Sequence, residues 1–81
     1  MVSVLLFGML GDAAGWRERA LADVPPTLSA LRDRLAAENP RLAEALAQLG
    51  VRAVVNKAMV RGDVALSPGC EVAFLSPMSG G

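Results

Sequence analysis

The hydrophobic positions of the chain follow a strand-like pattern near both ends and a helix-like pattern between them. Residues 2–9 form a short apolar run rich in strand formers, and the glycines and aspartate within 11–15 are turn signals. This pattern predicts a first strand followed by a hairpin turn. Residues 16–24 have mixed polarity and predict a second strand, exposed at the edge of a sheet, that ends at Pro25-Pro26.

Leucines spaced three and four residues apart predict helices in the middle of the chain. Thr27 is suited to cap the first helix, which runs to about Glu38. Asn39-Pro40 ends this helix, because proline disfavours the helical conformation of the residue before it, and Pro40 then opens a second short helical segment that stops at Gly50. The leucines of this apolar stripe are Leu28, Leu31, Leu35, Leu42, Leu46 and Leu49.

The second half of the chain returns to strand-like segments separated by turns. Residues 51–55 are β-branched and apolar apart from one arginine, and they predict a central strand that leads into a short segment at 58–60. Residues 61–63 have the composition of a turn, and Ser67-Pro68-Gly69 matches a type II turn. Residues 71–75 then predict the last strand.

This order of elements predicts an α+β fold of the β-grasp type, in which one main helix packs across one face of a mixed sheet. At 81 residues the chain is expected to form one domain with a small core. We place the domain at residues 1–76 and a flexible tail at residues 77–81, because the tail has few side chains able to anchor it to a core.

The composition excludes several classes of function. Eight basic and eight acidic residues give a formal net charge of zero, so no patch that would attract nucleic acid is indicated. The chain has no histidine and one cysteine, Cys70, so we expect neither a metal site nor a self-contained catalytic nucleophile, and we interpret Cys70 as incidental. The apolar start has no basic region before it and is too short to span a bilayer, so we expect a cytoplasmic chain without membrane contact.

Several motifs along the whole chain point to one known family. The first are Val4-Leu5-Leu6-Phe7-Gly8, the helix start Leu28-Ser29-Ala30-Leu31 and the segment Ala53-Val54-Val55-Asn56. The most specific positions are Leu66, Gly69, Glu71-Val72-Ala73-Phe74, Pro77 and the terminal Ser79-Gly80-Gly81. With these motifs the chain resembles the family of molybdopterin synthase small subunits, which are β-grasp relatives of ubiquitin and of the thiamine sulfur carrier. The chain differs from the family's usual pattern at Cys70, near Gly11 and at Ser76.

The resemblance implies that the working group is the carboxylate of Gly81 behind Gly80. An ATP-dependent adenylyltransferase of the ubiquitin-activating type would convert it to an acyl adenylate, and sulfur would then replace AMP to give a thiocarboxylate. The large subunit of the synthase would transfer this sulfur to cyclic pyranopterin monophosphate, within a heterotetramer of two small and two large subunits. The chain itself would bind no cofactor, since ATP is used by the activating enzyme.

Two glycines suit this task because a residue without Cβ lets a partner approach the main chain closely. With glycine at about 7% of average usage, a terminal pair arises by chance in only about 0.5% of chains. Chance is therefore a poor explanation for the Gly80-Gly81 ending.

Strand alternation also predicts a surface for the partners. If Val2, Val4 and Leu6 face the helix, then Leu5, Phe7, Met9 and Leu75 face the opposite side of the sheet. An exposed apolar patch there would be the docking face for both partners, unless loops cover it. The predicted partner-binding residues are Phe7, Met59, Leu75, Pro77, Met78 and Ser79.

Two other functions share this fold and this terminus. One is a sulfur carrier for thiamine synthesis or tRNA thiolation, which would deliver its sulfur to a different acceptor. The other is a ubiquitin-like protein modifier, whose Gly81 would form an isopeptide bond with lysine. The Val-Ala-Phe strand and Pro77 favour the synthase subunit over both.

Overall fold

The computed structural model of the chain describes residues 1–77, which form one five-stranded mixed sheet with three helices. The strands are β1 Val2–Leu6, β2 Glu18–Leu21, β3 Arg52–Val55, β4 Ala58–Val60 and β5 Glu71–Leu75. The helices are α1 Met9–Ala14, α2 Leu28–Glu38 and α3 Pro40–Leu46. The strand order is β2-β1-β5-β3-β4, with β1 and β5 parallel and the other pairs antiparallel. The predicted α+β, β-grasp fold with one main helix, α2, is confirmed.

The core lies between α2 and one face of the sheet. Val4 and Leu6 of β1 and Phe74 of β5 are at most 2% exposed, and they pack in one cluster with Leu31 and Leu35 of α2. Because successive side chains of a strand point to opposite faces, every second residue of β1 enters this core. The predicted helix-facing side of β1 is therefore confirmed.

Two side chains from different parts of the chain cap the start of α2. The Oγ1 atom of Thr27 accepts a hydrogen bond from the backbone N–H of Ala30 at 3.1 Å, as the sequence predicts. The Oδ1 atom of Asp63 accepts a second one from the N–H of Ser29 at 2.8 Å. The 61–63 turn therefore serves as a second cap, a role that its sequence did not indicate.

Asn39 connects all three helices. Its backbone is extended, with φ −152°, which ends α2 before Pro40 as predicted. The Oδ1 atom accepts hydrogen bonds from the N–H groups of Arg41, at 2.9 Å, and Leu42, at 3.4 Å, and so caps α3. The Nδ2 group donates to the carbonyl of Ala13 at 3.3 Å, which ties α1 to the same junction.

The segment after β1 is a short helix, so the predicted hairpin turn at 11–15 is wrong. Gly11 lies inside α1, where the side chain of Arg17 occupies the space that a Cβ at this position would need. Leu10 turns into the core and is 1% exposed, which stabilises the helical turn. The first strand consequently ends at Leu6, and Met9 belongs to α1 instead of the sheet.

Two further expectations are corrected at the ends of elements. Leu49 does not continue the buried stripe, because α3 ends at Leu46 and leaves Leu49 95% exposed. The second strand is shorter than predicted, since only residues 18–21 pair with β1, while Trp16 and Val24 pack at the edge of the core. No helix in residues 1–77 is long and apolar enough to cross a membrane.

Candidate functional site

The face of the sheet opposite α2 carries an apolar row that crosses four strands. Leu5 of β1 lies beside Ala73 of β5, Ala73 lies opposite Val54 of β3, and Val54 lies opposite Met59 of β4. These residues share one side because paired positions in neighbouring strands point to the same face. Met59, at the outer end of the row, is 57% exposed.

Phe7 and Leu75 extend this row toward the end of the sheet where β1 and β5 finish. The N–H of Phe7 donates to the carbonyl of Phe74 at 3.0 Å, which holds Phe7 beside the last strand. Phe7 is 48% exposed, and Leu75 is half-buried opposite Arg52. We call the apolar row together with Phe7 and Leu75 the docking face.

No loop within residues 1–77 covers the docking face, because its outer side chains, Phe7 and Met59, stay about half exposed. The alternative that loops bury this patch is therefore wrong. Exposed charges border it: Glu18 lies opposite Leu5 at one end, and Arg52 lies beside Leu75 at the other. An apolar centre within a charged border is the usual composition of a protein–protein interface.

The chain leaves β5 at the edge of the docking face. A hollow of about 400 Å³ surrounds this exit. Its walls are formed by Phe7, Gly8, Gly50, Arg52, Leu75, Ser76 and Pro77. Pro77 is half-buried here, while the predicted site residues Met78, Ser79, Gly80 and Gly81 lie outside the described residues. The position of the Gly81 carboxylate, and the flexibility expected of the tail, therefore stay predictions.

A family model and a curated relative both match this chain. The model described as "ThiS family" matches residues 4–81. The chain belongs to the ThiS family. This ThiS-family chain is also 38% identical, over 81 residues and the full length of both proteins, to the "Molybdopterin synthase sulfur carrier subunit" of Escherichia coli (strain K12).

Two solved structures from other organisms share this fold. SAMP1 from Haloferax volcanii superposes with a TM-score of 0.81 at 24% identity, covering 99% of this chain and 98% of its own. Urm1 from Trypanosoma brucei superposes with a TM-score of 0.77 at 23% identity, covering 99% and 94%. At these identities the likeness supports the fold of the ThiS-family chain.

The β3–β4 hairpin sets the place of Met59 in the ThiS-family chain. Asn56 and Lys57 have φ angles of 49° and 68°, the left-handed values that a two-residue hairpin turn requires. The Oδ1 atom of Asn56 accepts a hydrogen bond from the N–H of Glu71 at 2.9 Å, which ties this turn to the start of β5. The turn fixes the register that puts Met59 opposite Val54.

Two further candidates for a site in the ThiS-family chain are a cluster of metal ligands and the single cysteine. Within residues 1–77 no group of three His, Cys, Asp or Glu side chains could hold a metal ion. Cys70 is a free thiol in the core, 4% exposed, and lies away from the docking face at the start of β5. The apolar docking face beside the exit of the chain is the candidate site that the described residues form.

Proposed function

We propose that this chain is the sulfur-carrier small subunit of a molybdopterin synthase, with Gly81 as the residue that carries the sulfur. The observation that carries this proposal is the 38% identity to the Escherichia coli sulfur carrier subunit over the full length of both chains. The Gly80-Gly81 ending supports the proposal because it has the composition that the sulfur chemistry needs. The docking face supports it because it lies beside the point where the chain leaves the domain.

The proposed cycle has three steps at one carboxyl group. A carboxylate oxygen of Gly81 attacks the α-phosphate of ATP, which releases pyrophosphate and forms an acyl adenylate on an activating adenylyltransferase. Donor sulfur at the oxidation level of hydrosulfide then attacks the acyl carbon, so that the bond to AMP breaks and a thiocarboxylate remains. In the large subunit of the synthase, this sulfur is transferred to cyclic pyranopterin monophosphate, and water restores the Gly81 carboxylate as the bond between the glycine carbon and sulfur breaks. This chain contributes binding and presentation, and ATP and the catalytic groups belong to the partners.

The docking face supports binding of both partners in turn. The adenylyltransferase and the large subunit must each receive the same carboxylate, and Phe7 and Leu75 lie beside the point where the chain leaves the domain. A shared face makes the two complexes mutually exclusive, so the loaded carrier must dissociate from one before it binds the other. We further propose a heterotetramer of two small and two large subunits, located in the cytoplasm.

Intact mass spectrometry tests the proposal directly. The protein is incubated with ATP, the cognate adenylyltransferase and a sulfur donor, and a mass gain equal to the replacement of one oxygen by sulfur is expected. A variant lacking Gly81 is the control, and it should gain no mass while its thermal midpoint stays nearly unchanged, because the removed residue follows the folded domain. Absence of the gain in the intact protein would refute the sulfur-carrier function.

A second candidate, a carrier or modifier outside molybdopterin synthesis, is favoured by two findings. The matching family model is that of ThiS, and SAMP1 from Methanosarcina acetivorans, described as a small archaeal modifier protein, superposes with a TM-score of 0.82 at 23% identity. To separate the two candidates, the thiocarboxylated protein is mixed with the large subunit of the synthase and the pterin precursor. Loss of its sulfur with formation of molybdopterin supports the leading proposal, whereas conjugates through lysine isopeptide bonds would favour the modifier.

A further inference from the structure

Glycines with positive φ among residues 1–77 fall into two groups. A Cβ built on Gly15, Gly62 or Gly69 meets no atom within 4 Å, so these glycines are required only for their backbone conformation. A Cβ built on Gly8 or Gly50 meets the chain immediately after β5. These two positions therefore combine an unusual conformation with a lack of space.

Gly8 lies against Ser76. Its backbone has φ 60° and ψ −136°, and a Cβ there would overlap the Oγ atom of Ser76. Two hydrogen bonds hold this glycine in place. The N–H of Phe7 donates to the carbonyl of Phe74 at 3.0 Å, and Nη1 of Arg17 donates to the carbonyl of Gly8 at 3.3 Å. The contact with Ser76 is therefore made by a fixed segment of backbone.

Gly50 makes the corresponding contact with Pro77, the residue after Ser76. With φ 90°, it would place a Cβ 3.1 Å from the Cβ of Pro77 and 3.5 Å from its Cγ. A separation of 3.1 Å between two carbons is shorter than their optimal contact, so a side chain at Gly50 would push the proline ring away. Both glycines belong to the wall of the hollow at the chain exit.

The direction of the chain at Ser76 and Pro77 limits where the Gly81 carboxylate can go. Four residues follow Pro77, and they span at most about 14 Å when fully extended. A shift of Ser76 and Pro77 therefore shifts the whole region that the carboxylate can reach. Displacements of about 1 Å can already cost about 100-fold in rate at an active site, so the position of the exit matters for the reacting group.

We propose that Gly8 and Gly50 form a seat for Ser76 and Pro77 and thereby set the direction in which the Gly81 carboxylate is presented. The inference rests on the proposed function. Gly8 and Gly50 are positioning residues: they act through the two residues that they contact, by leaving free the space those residues occupy.

Matched glycine-to-alanine variants test the seat. Gly8→Ala and Gly50→Ala are compared with Gly62→Ala and Gly69→Ala. All four place an alanine at positive φ and should lower the thermal midpoint. Only the first two touch the chain exit: Gly8→Ala forces the Ser76 hydroxyl out of its position, and Gly50→Ala requires Pro77 to move by a few tenths of an ångström. We expect a drop of about tenfold or more in kcat for thiocarboxylate formation in these two, because the reacting group is misplaced. The two controls should stay within about twofold, with KM little changed in all four variants because the docking face is intact.

A rescue experiment separates the seat from a general loss of structure. Ser76→Ala removes the Oγ atom that a side chain at position 8 would overlap. In the Gly8→Ala background it should recover most of the lost kcat, whereas in the Gly69→Ala background its effect should equal that of Ser76→Ala alone. Equal losses of kcat in the seat and control variants, or absence of rescue, would overturn the proposal.

Backbone NMR of the isolated protein keeps this test separate from the proposed function. The heteronuclear NOE of the Ser76 amide should be as high as that of β5 in the wild-type protein and in Gly69→Ala, and should fall in Gly8→Ala. A low value in the wild-type protein would refute the seat even if Gly81 is thiocarboxylated. A high value in a protein that never gains sulfur would refute the proposed function and, with it, the role assigned to the seat.

Discussion

The helix-covered face of the sheet and the docking face are built from similar apolar residues, yet they differ in burial. Leu6 and Phe74 on the covered face are at most 2% exposed, whereas Phe7 and Met59 on the docking face are about half exposed. At roughly 25 cal/mol per Å² of buried apolar area, only the covered face contributes strongly to folding. Alternation along a strand thus separates residues that stabilise the domain from residues that stay exposed on the docking face.

Removing a side chain from the helix-covered face should have the largest effect, and this effect should be on the free energy of unfolding. We expect Phe74→Ala to lower the free energy of unfolding by about 3–5 kcal/mol, because it leaves a cavity between the sheet and α2. Denaturant titration followed by circular dichroism measures this loss. Phe74→Leu should cost clearly less. A loss below about 1 kcal/mol for Phe74→Ala would show that the core is not organised around β5.

Truncation on the docking face should instead affect binding. Phe7→Ala and Met59→Ala are expected to weaken binding to the large subunit by about 30-fold, or about 2 kcal/mol, as interface hot spots do. Their free energies of unfolding should change by about 1 kcal/mol or less, since both side chains are half exposed. Isothermal titration calorimetry measures the Kd.

Leu49→Ala provides the matched control for these two variants. Leu49 is also an exposed apolar residue, at 95%, but it lies in the loop after α3. Its truncation should leave the Kd unchanged within about twofold, because it lies off the docking face. If Leu49→Ala weakened binding as much as Phe7→Ala, the docking face would not be the interface.

The second cap of α2 should have a smaller effect, and only on stability. Asp63→Ala removes the acceptor for the N–H of Ser29, and we expect a loss of about 1 kcal/mol in the free energy of unfolding. Thr27→Ala should cost a similar amount. Thermal unfolding measures both, with Glu44→Ala as an exposed helical control. A change of Kd in Asp63→Ala would contradict the separation between stability and recognition.

The smallest effect on the free energy of unfolding is expected from removal of the ion pair between β2 and α2. The Nη2 atom of Arg19 lies 2.8 Å from Oε1 of Glu38, and the side chains are 33% and 40% exposed. Because such pairs are screened by water, Glu38→Gln should cost less than about 1 kcal/mol, and less still at high salt. Denaturant titrations at two salt concentrations measure this dependence. A loss that does not change with salt would indicate that packing accounts for it.

The regular elements could be predicted from the sequence where a periodic pattern coincides with a local signal. The leucines of α2 agree with the cap at Thr27, and the strand 71–75 agrees with the turn before it, so both were placed correctly. The helix at 9–14 was missed because Gly11 and Asp12, with Gly15 after them, have the composition of a turn. Its stability comes from Leu10 in the core and from Arg17 lying over Gly11, contacts that appear only in three dimensions.

The candidate site was only partly predictable for the same reason. Alternation placed Phe7 and Leu75 on the uncovered face, but it also placed Met9 there, which belongs to α1. The second cap by Asp63 and the contacts of Gly8 and Gly50 with the chain exit join residues far apart in sequence. No local pattern indicates such pairs, because the spacing between partners depends on how the strands are ordered in the sheet.

The order of synthesis gives the position of β5 a further consequence. In the sheet order β2-β1-β5-β3-β4, the strand at the centre is the one translated last. A nascent chain that stops before residue 71 lacks the strand that hydrogen-bonds to both β1 and β3. Non-local strand pairing of this kind delays folding until the distant partner is present. The docking face, to which β5 contributes Ala73 and Leu75, is therefore incomplete until β5 has been translated.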